Sequence, residues 1–245
     1  MNRRLTLVAA LATMPLVVTA CNSSSSSPPS SLSTPSAQET TPAPSSTPVT
    51  GDDKQRATAI QLTVTDLPGD WKSEPIKATA AEQKEEDAFF DGCLGTPTIE
   101  DVQTATSHVE FNRGDGFLFA DGLIDVTTTE NLAQKYQAAL SGADVARCAE
   151  ADAKKFFKAP KDTTIVSIVG SKLTPPEPAF GYRIVITLHL TAKDRDVTLT
   201  IDTYGVVVKR FITQVSFEGL IQAPQPSLED AVTAKVFARA IANSA

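Results

Sequence analysis

Residues 182–191 read YRIVITLHLT, and apolar and polar side chains alternate along most of this stretch. The apolar positions are Ile184, Ile186, Leu188 and Leu190, and the polar positions between them include Arg183, Thr187 and His189. A period of two is typical of a β-strand that buries one face and exposes the other. The stretch therefore predicts a strand that lies over an apolar core and carries a polar face.

The residues that follow predict the partner of this strand. A two-residue turn at 194–195 would place His189 opposite Thr200. The same register would place Thr187 opposite Asp202, so that the polar side chains of both strands share one face. The candidate residues for binding a polar ligand or an envelope partner are therefore Arg183, Thr187, His189, Thr200 and Asp202. Plain exposure to solvent is the alternative, because threonine-rich outer faces are ordinary in half-exposed sheets.

Further strands are predicted on both sides of this hairpin. Residues 108–127 alternate around a glycine-rich turn, and a period of two resumes at Thr163. Another strand runs through Val206 to Phe217, and the turn before it lies at either Tyr204-Gly205 or Lys209-Arg210. The sheet is therefore expected to be built largely from consecutive antiparallel strands.

Apolar residues three and four positions apart predict five helices. They cover Lys54 to Thr63, Ala80 to Phe90, Glu130 to Leu140, Ala143 to Phe157 and Ser227 to Asn243, and Ser227 with Asp230 forms a capping box at the start of the last helix. We therefore predict an α+β fold in which an antiparallel β-sheet has helices packed on one face. Residues 51–245 are enough for one such domain.

The first 20 residues predict a secretory signal peptide. Arg3 and Arg4 precede an apolar run of about 14 residues, whereas a spanning helix needs about 20. The run ends in Val18-Thr19-Ala20-Cys21, which resembles a bacterial lipobox and implies cleavage before Cys21 and acylation of this cysteine. Cys21 is thus the predicted lipid anchor on the extracytoplasmic face of the cell membrane. An ordinary secreted protein with a chance cysteine at the cleavage site is the alternative.

The segment that follows the predicted anchor has the composition of a tether. Residues 22–50 contain 22 Ser, Thr or Pro among 29 residues, and Glu39 is the only charged residue. A chain with so little apolar surface does not offset its own ordering entropy. Residues 21–50 therefore predict an anchor and tether that hold the domain away from the membrane, at about 30 Å if the chain is a coil.

Cys93 and Cys148 remain once Cys21 is acylated. In an oxidising envelope compartment, an isolated pair of cysteines most often forms a disulfide. We therefore predict a bond between Cys93 and Cys148, with two buried free thiols as the alternative.

The charge of the chain excludes some partners. The whole chain has a net charge of −7, and without Arg3 and Arg4 it has 20 basic and 29 acidic residues, a net charge of −9. An acidic protein is repelled by phosphate backbones and by anionic lipid headgroups. Nucleic acid is therefore not an expected partner, and contact with the membrane is expected through the lipid anchor.

The sequence has no recognisable catalytic or cofactor-binding motif. It lacks a Gly-x-Ser-x-Gly elbow, a His-Glu-x-x-His pair, a phosphate-binding glycine loop and a Cys-x-x-Cys pair. His108 and His189 are the only histidines available as bases near neutral pH, and both are also ordinary polar strand residues. They stand too far apart in sequence to suggest a metal site. We therefore predict no catalytic residue, no metal and no cofactor.

Several of these features occur in a recognisable order. After the leader and tether, a helix leads into Leu67-Pro68-Gly69-Asp70-Trp71, and then come Cys93-Leu94-Gly95, a single later cysteine, a β-meander and a final helix. This order resembles small actinobacterial envelope lipoproteins related to the extracellular sensor domains of mycobacterial receptor Ser/Thr kinases. The resemblance covers most of residues 52–245 and implies an α+β fold that presents a cleft. It brings no catalytic residue.

Two functions fit this description. The first is a sensor-like or interaction module without enzymatic activity, which binds an envelope protein or a small polar ligand through the polar sheet face. The alternative is a carrier of lipid or acyl chains, which would need more inward apolar residues than a core needs. Because one helix-covered core and one polar face account for the pattern, the sequence favours the first.

Overall fold

The structure is a computed structural model that describes residues 51–76, 78–114 and 116–244. Within these residues the strands are β1 Trp71–Glu74, β2 Gln103–Arg113, β3 Leu118–Thr127, β4 Thr163–Leu173, β5 Phe180–Leu190, β6 Arg195–Val208 and β7 Phe211–Leu220. The α-helices are α1 Asp53–Ile60, α2 Ala80–Leu94, α3 Ile99–Val102, α4 Glu130–Ser141, α5 Val145–Phe156 and α6 Pro226–Asn243. The predicted leader, Cys21 and the tether lie outside the described residues. Among the described helices, none is long and apolar enough to span a membrane.

The strands form one antiparallel sheet in the order β1-β2-β3-β7-β6-β5-β4. Strands that follow each other in sequence are mostly neighbours in the sheet, and the last strand, β7, inserts between β3 and β6. The predicted α+β fold, with an antiparallel sheet in a single domain, is confirmed.

The central strand β7 is buried along almost its whole length. Glu218 is its one residue that is not buried. Phe211 and Ile212 are neighbours in sequence, yet they pack into separate cores because successive side chains of a strand point to opposite faces. The sheet therefore needs cover on both faces at its centre.

We call the face covered by α2, α4 and α5 the disulfide face. Its core contains Ile184, Ile186 and Leu188 of β5, as the alternation of that strand predicted. Cys93 near the end of α2 is bonded to Cys148 of α5, with their Cα atoms 5.7 Å apart. The predicted disulfide is present, and it joins the two helices over this core.

We call the opposite face, covered by α1 and α6, the α6 face. Its core joins Ile60 of α1 and Val232 and Val236 of α6 to Val215 and Phe217 of β7. Helices thus pack on the predicted face and also on the other one. The sequence prediction rested on the hairpin at 182–204, whereas the second apolar set lies mainly on β3 and β7.

The register of the β5–β6 hairpin differs from the prediction. The turn is longer than two residues, since a 3-10 turn occupies Thr191–Lys193 and Asp194 takes a left-handed conformation with φ 44°. His189 therefore lies opposite Asp196, and Arg183 lies opposite Asp202. The predicted pairs were wrong by an even number of residues, so every side chain kept its predicted face.

Two local predictions at the ends of elements are also resolved. The turn before β7 lies at Lys209-Arg210, where Lys209 has φ 53°, and it leaves β6 as a strand of 14 residues. The predicted capping box of the last helix is wrong, because α6 begins one residue earlier with Pro226 and has no side-chain cap. Proline fits the first helical position because its missing N–H would have no partner there.

The disulfide should contribute measurably to stability. Replacing both Cys93 and Cys148 by Ala should lower the free energy of unfolding by about 4 kcal/mol, because the bond closes a loop with a sequence separation of 55 in the unfolded chain. Chemical denaturation of the wild type, the reduced wild type and the double variant measures this difference. The reduced wild type should match the double variant, and equal midpoints for all three would contradict the assignment.

Candidate functional site

Part of the α6 face has no described helix over it. Helix α6 packs on β6 and β7, and α1 packs on β2 and β3, which leaves β4, β5 and the first half of β6 uncovered. We call this surface the open strip. Its side chains come from Ser167, Val169, Ser171, Arg183, Val185, Thr187, His189 and Thr198, all exposed or half-buried. The open strip is a flat surface rich in Thr, Ser and Val, with charged groups at its two ends.

All five sequence-predicted contact residues lie on this face, but they differ in accessibility. Arg183, Thr187 and His189 are half-buried and belong to the open strip. Thr200 is 6% exposed and Asp202 is fully buried. The structure therefore brings the set together, with three members at the surface and two beneath its border with α6.

Arg183 and Asp202 form a two-pronged ion pair across neighbouring strands. Arg183 Nε lies 2.5 Å from Asp202 Oδ1, and Nη2 lies 2.6 Å from Oδ2. The hydrogen bond with Asp202 raises the pKa of Arg183 above its usual range. Nη1 makes no hydrogen bond with the described residues, and the side chain is 34% exposed. The guanidinium thus joins a buried carboxylate to the surface of the open strip.

A second carboxyl group lies beside this pair. Glu229 in the first turn of α6 is 1% exposed, and Tyr204 donates a hydrogen bond of 3.0 Å to its Oε2. Burial, together with the hydrogen bond and charge interaction with Asp202, raises the pKa of Glu229 to about 8. The sequence analysis missed Glu229, because a Glu in the first turn of a helix is ordinarily explained by the helix dipole.

His189 lies at the other end of the open strip. Its Nδ1 is 2.9 Å from Asp196 Oδ1, and its Nε2 is 3.6 Å from Asp194 Oδ1. The ring therefore lies between two carboxylates of the β5–β6 hairpin. This end of the strip offers acceptors and an imidazole, whereas the other end offers a guanidinium.

His108, the other histidine, lies on the disulfide face. Its side chain is 7% exposed, and Nε2 lies 3.7 Å from Asp121 Oδ2 and 3.9 Å from Glu110 Oε1. Burial would lower the pKa of His108, but these carboxylates outweigh burial and raise it. The two histidines therefore occupy opposite faces of the sheet. Within the described ranges, no group of three His, Cys, Asp or Glu side chains could hold a metal ion.

A small polar cavity lies under α2 on the disulfide face. It has a volume of about 20 Å³, and its polar lining includes Asp91, Asp125, Tyr136 and Gln214. Burial raises the pKa of Asp91 to about 6 and also raises that of Asp125. A cavity of this size and polarity fits one water molecule. The sequence did not reveal it, because Asp91 lies just past the predicted end of α2.

A larger cavity of about 410 Å³ lies between the end of α4 and the loop that joins β4 to β5. Lys172 and Glu177 line it together with Leu173, Pro175 and Pro178. Lys172 donates a hydrogen bond to the carbonyl oxygen of Ser141 at the end of α4. This lining mixes charged and apolar groups, and the cavity lies away from the open strip.

Comparisons with known proteins add little to this geometry. No protein-family model matches the chain, and no curated protein matches it. The chain is similar to a solved structure, the extracellular domain of PknH from Mycobacterium tuberculosis, with 12% identity and a TM-score of 0.43 over 78% of this chain and 96% of that chain. Likeness at this level defines neither a family nor a function.

The ion pair at the border of the open strip should be important for stability. Substitution of Arg183 by Ala should lower the free energy of unfolding, because Asp202 would remain buried without its cation. Since Arg183 itself is partly exposed, we expect a moderate decrease of about 2 kcal/mol. Urea denaturation measures the change. Thr187→Ala, on the same strand and face, serves as the matched control and should cost less than about 0.5 kcal/mol. Equal costs for the two variants would contradict this assignment.

Proposed function

We propose that this protein is an extracytoplasmic binding module without enzymatic activity, held at the cell membrane by acylated Cys21. Its open strip contacts a protein of the cell envelope. The observation that carries the proposal is the uneven cover of the α6 face. Half of that face is covered by α1 and α6, and the other half exposes a flat surface with a charged group at each end.

The β4 border of the open strip supports a contact surface over plain solvation. Ile165, Val166 and Val169 are 42%, 56% and 53% exposed on this strand at the edge of the sheet. Exposed apolar side chains on an edge strand favour association, and monomeric proteins usually shield them. Of the three, Val169 belongs to the open strip, whereas Ile165 lies opposite Leu188 on the disulfide face and Val166 lies at a β-bulge. A partner that covers the strip would remove Val169 from water.

The contact is expected through side chains and not through addition of a strand to the edge of β4. The backbone N–H of Gly170 donates a 2.9 Å hydrogen bond to Glu150 Oε2 of α5. An added Cβ at Gly170 would lie 2.3 Å from the carbonyl oxygen of Ala146, so α5 packs directly on this part of the edge. A carboxylate that occupies a backbone donor blocks the pairing of another strand there. The face of the sheet is the accessible surface.

The position of Asp53, close to the start of the described residues, also supports this surface. Asp53 at the start of α1 binds Arg210 in the β6–β7 turn, with Oδ1 and Nη2 2.6 Å apart. The β5–β6 turn beside His189 lies at the opposite end of β6, which has 14 residues and so spans about 45 Å. The His189 end of the open strip is therefore far from Asp53 and from the point where the predicted tether joins the domain, and a neighbouring envelope protein can reach it there.

The chemistry of the strip supports binding more than catalysis. Both prongs of Arg183 are occupied by Asp202, and His189 lies between Asp194 and Asp196. In the described part of the chain, no hydroxyl group is hydrogen-bonded to His189, as a nucleophile activated by this histidine would be. The alternative, an acyl-chain carrier, would need more inward apolar side chains than a core needs. The inward side chains of β5 and β6 on the disulfide face belong to a packed core with α4 and α5.

The anchor can be tested separately from the contact surface. Cells that make Cys21→Ala should release the domain or retain an uncleaved precursor, because the thiol that accepts the lipid is gone. The wild type should partition into detergent, and its amino-terminal peptide should carry an acyl mass increment. An unmodified amino terminus in the wild type would contradict the anchor.

The contact surface is tested by photo-crosslinking in the cells that natively make the protein. A photoreactive amino acid at Val169 or Thr187 should give a discrete adduct with an envelope protein, since both positions lie on the open strip. The same residue at Ala234, exposed on α6, is the matched control and should give none. Adducts of equal yield at all three positions, or none at any, would contradict the proposed surface.

A further inference from the structure

We propose that Asp202 and Glu229 share one proton in the folded protein, and that this proton fastens the first turn of α6 beside the open strip. Binding of a partner carboxylate at Arg183 is then coupled to this proton. The attachment of α6 does not depend on the proposed function, whereas the coupling rests on the proposed function of the open strip.

The first argument is the shortage of positive charge. Asp202 and Glu229 are 0% and 1% exposed, and they come from facing elements, β6 and α6. Arg183 gives both of its hydrogen bonds to Asp202, so that carboxylate is neutralised. Among the residues that the structure describes, Tyr204 is the one hydrogen-bond donor to the Glu229 carboxyl group, through its hydroxyl. An ionised Glu229 would be a buried charge without a cation, which is strongly unfavourable.

The second argument is the position of the proton. Glu229 Oε1 is buried and has no hydrogen-bond partner among the described residues. The other oxygen of Glu229 accepts from Tyr204, which lies two residues after Asp202 on β6, so the Asp202 carboxyl is a neighbour of this contact. Two carboxylates at hydrogen-bond distance repel each other, whereas a carboxyl and a carboxylate attract by sharing a hydrogen. A proton on Glu229 therefore turns a repulsive contact between α6 and β6 into an attractive one.

The other ionisable groups near this contact are already paired or exposed. Strand β5 contributes Arg183, β6 contributes Asp202 and Tyr204, and β7 places the apolar Phe217 opposite Asp202. Farther along α6, Asp230 is exposed, Lys235 donates to the backbone oxygen of Asp66, and Arg239 forms a two-pronged pair with the Asp66 carboxylate. An ion pair holds the second half of α6, and the shared proton holds its first turn.

The sign of the pH dependence follows from these contacts. The pKa of Glu229 rises from 4.5 in the unfolded chain to about 8 in the folded protein, so folding takes up a proton between these values. The stabilisation is complete below the unfolded value and is lost as the pH rises through 8. Between pH 4.5 and about pH 8, the folding constant should fall about tenfold per pH unit relative to a protein that lacks the Glu229 carboxyl group.

The same proton reaches the open strip through Arg183. A partner carboxylate that binds the guanidinium draws positive charge away from Asp202, and the proton on Glu229 then becomes harder to remove. Coupling of this kind is reciprocal, so protonation of Glu229 strengthens the binding of that partner. Binding at the strip should weaken as the pH rises past 8.

The fastening is tested with the full-length protein in detergent. Its unfolding constant is measured from pH 5 to 9 for the wild type, Glu229→Gln and the matched control Asp230→Asn. The wild type and Asp230→Asn should show the extra tenfold change per pH unit, and Glu229→Gln should not. Infrared spectra should also show a protonated carboxylic acid in the wild type and in Asp230→Asn at pH 7 that disappears at pH 9 and is missing from Glu229→Gln, which separates it from the carboxyl groups of Asp91 and Asp125. Absence of that band, or the same pH dependence in all three proteins, would overturn the proposal.

The coupling is tested by the yield of the Val169 crosslink at pH 6.5 and at pH 9. The yield should fall by several-fold in the wild type and should stay constant in Glu229→Gln. A constant yield in the wild type would overturn the coupling. A yield of zero at both pH values would overturn the proposed surface and the coupling together, and the unfolding data would still decide whether the proton fastens α6.

Discussion

The architecture depends on the need of strand β7 to bury both of its faces. Phe217 and Val215 belong to one core, and Ile212, on the same strand, belongs to the other. A central strand of this composition cannot face water on either side, so helices must cover the middle of the sheet twice. Helices α1 and α6 provide the second cover, and they reach only part of the α6 face. The open strip is the remainder of that face.

The sequence contains enough information for the fold class and for the face of each side chain in the hairpin. The alternation from Arg183 to Leu190 is a local property, and a period of two survives an error in the turn as long as the shift is even. The predicted register failed at Thr191 to Asp194 because the length of a turn depends on backbone conformations that these residue types allow but do not require. The cover of the second face was missed because Phe211 and Phe217 find their partners only through the distant helix α6.

The candidate site was predicted less well than the fold, and Asp202 shows why. Polar character in an alternating strand usually means exposure, yet a carboxylate can be buried when a guanidinium and a protonated neighbour accompany it. The strand pattern placed Arg183 and Asp202 on one face, but the predicted register put Thr187, not Arg183, opposite Asp202. Glu229 could not be recognised as a neighbour, because its approach to Asp202 depends on how α6 crosses the sheet. Sequence patterns show which face of a strand a residue occupies. Long-range packing decides whether that face is exposed to solvent.

These contacts place one connected set of groups between the surface and the core, from the guanidinium of Arg183 through Asp202 to Glu229. The central claim is that the open strip beside this set is covered by a partner in the native envelope. Labelling of Val169→Cys with a membrane-impermeant maleimide tests it most directly, with Ala234→Cys on α6 as the reference. The account predicts that Val169→Cys reacts in the purified protein and is protected in the intact envelope, whereas Ala234→Cys reacts in both. Equal reactivity of Val169→Cys in the two settings would contradict it.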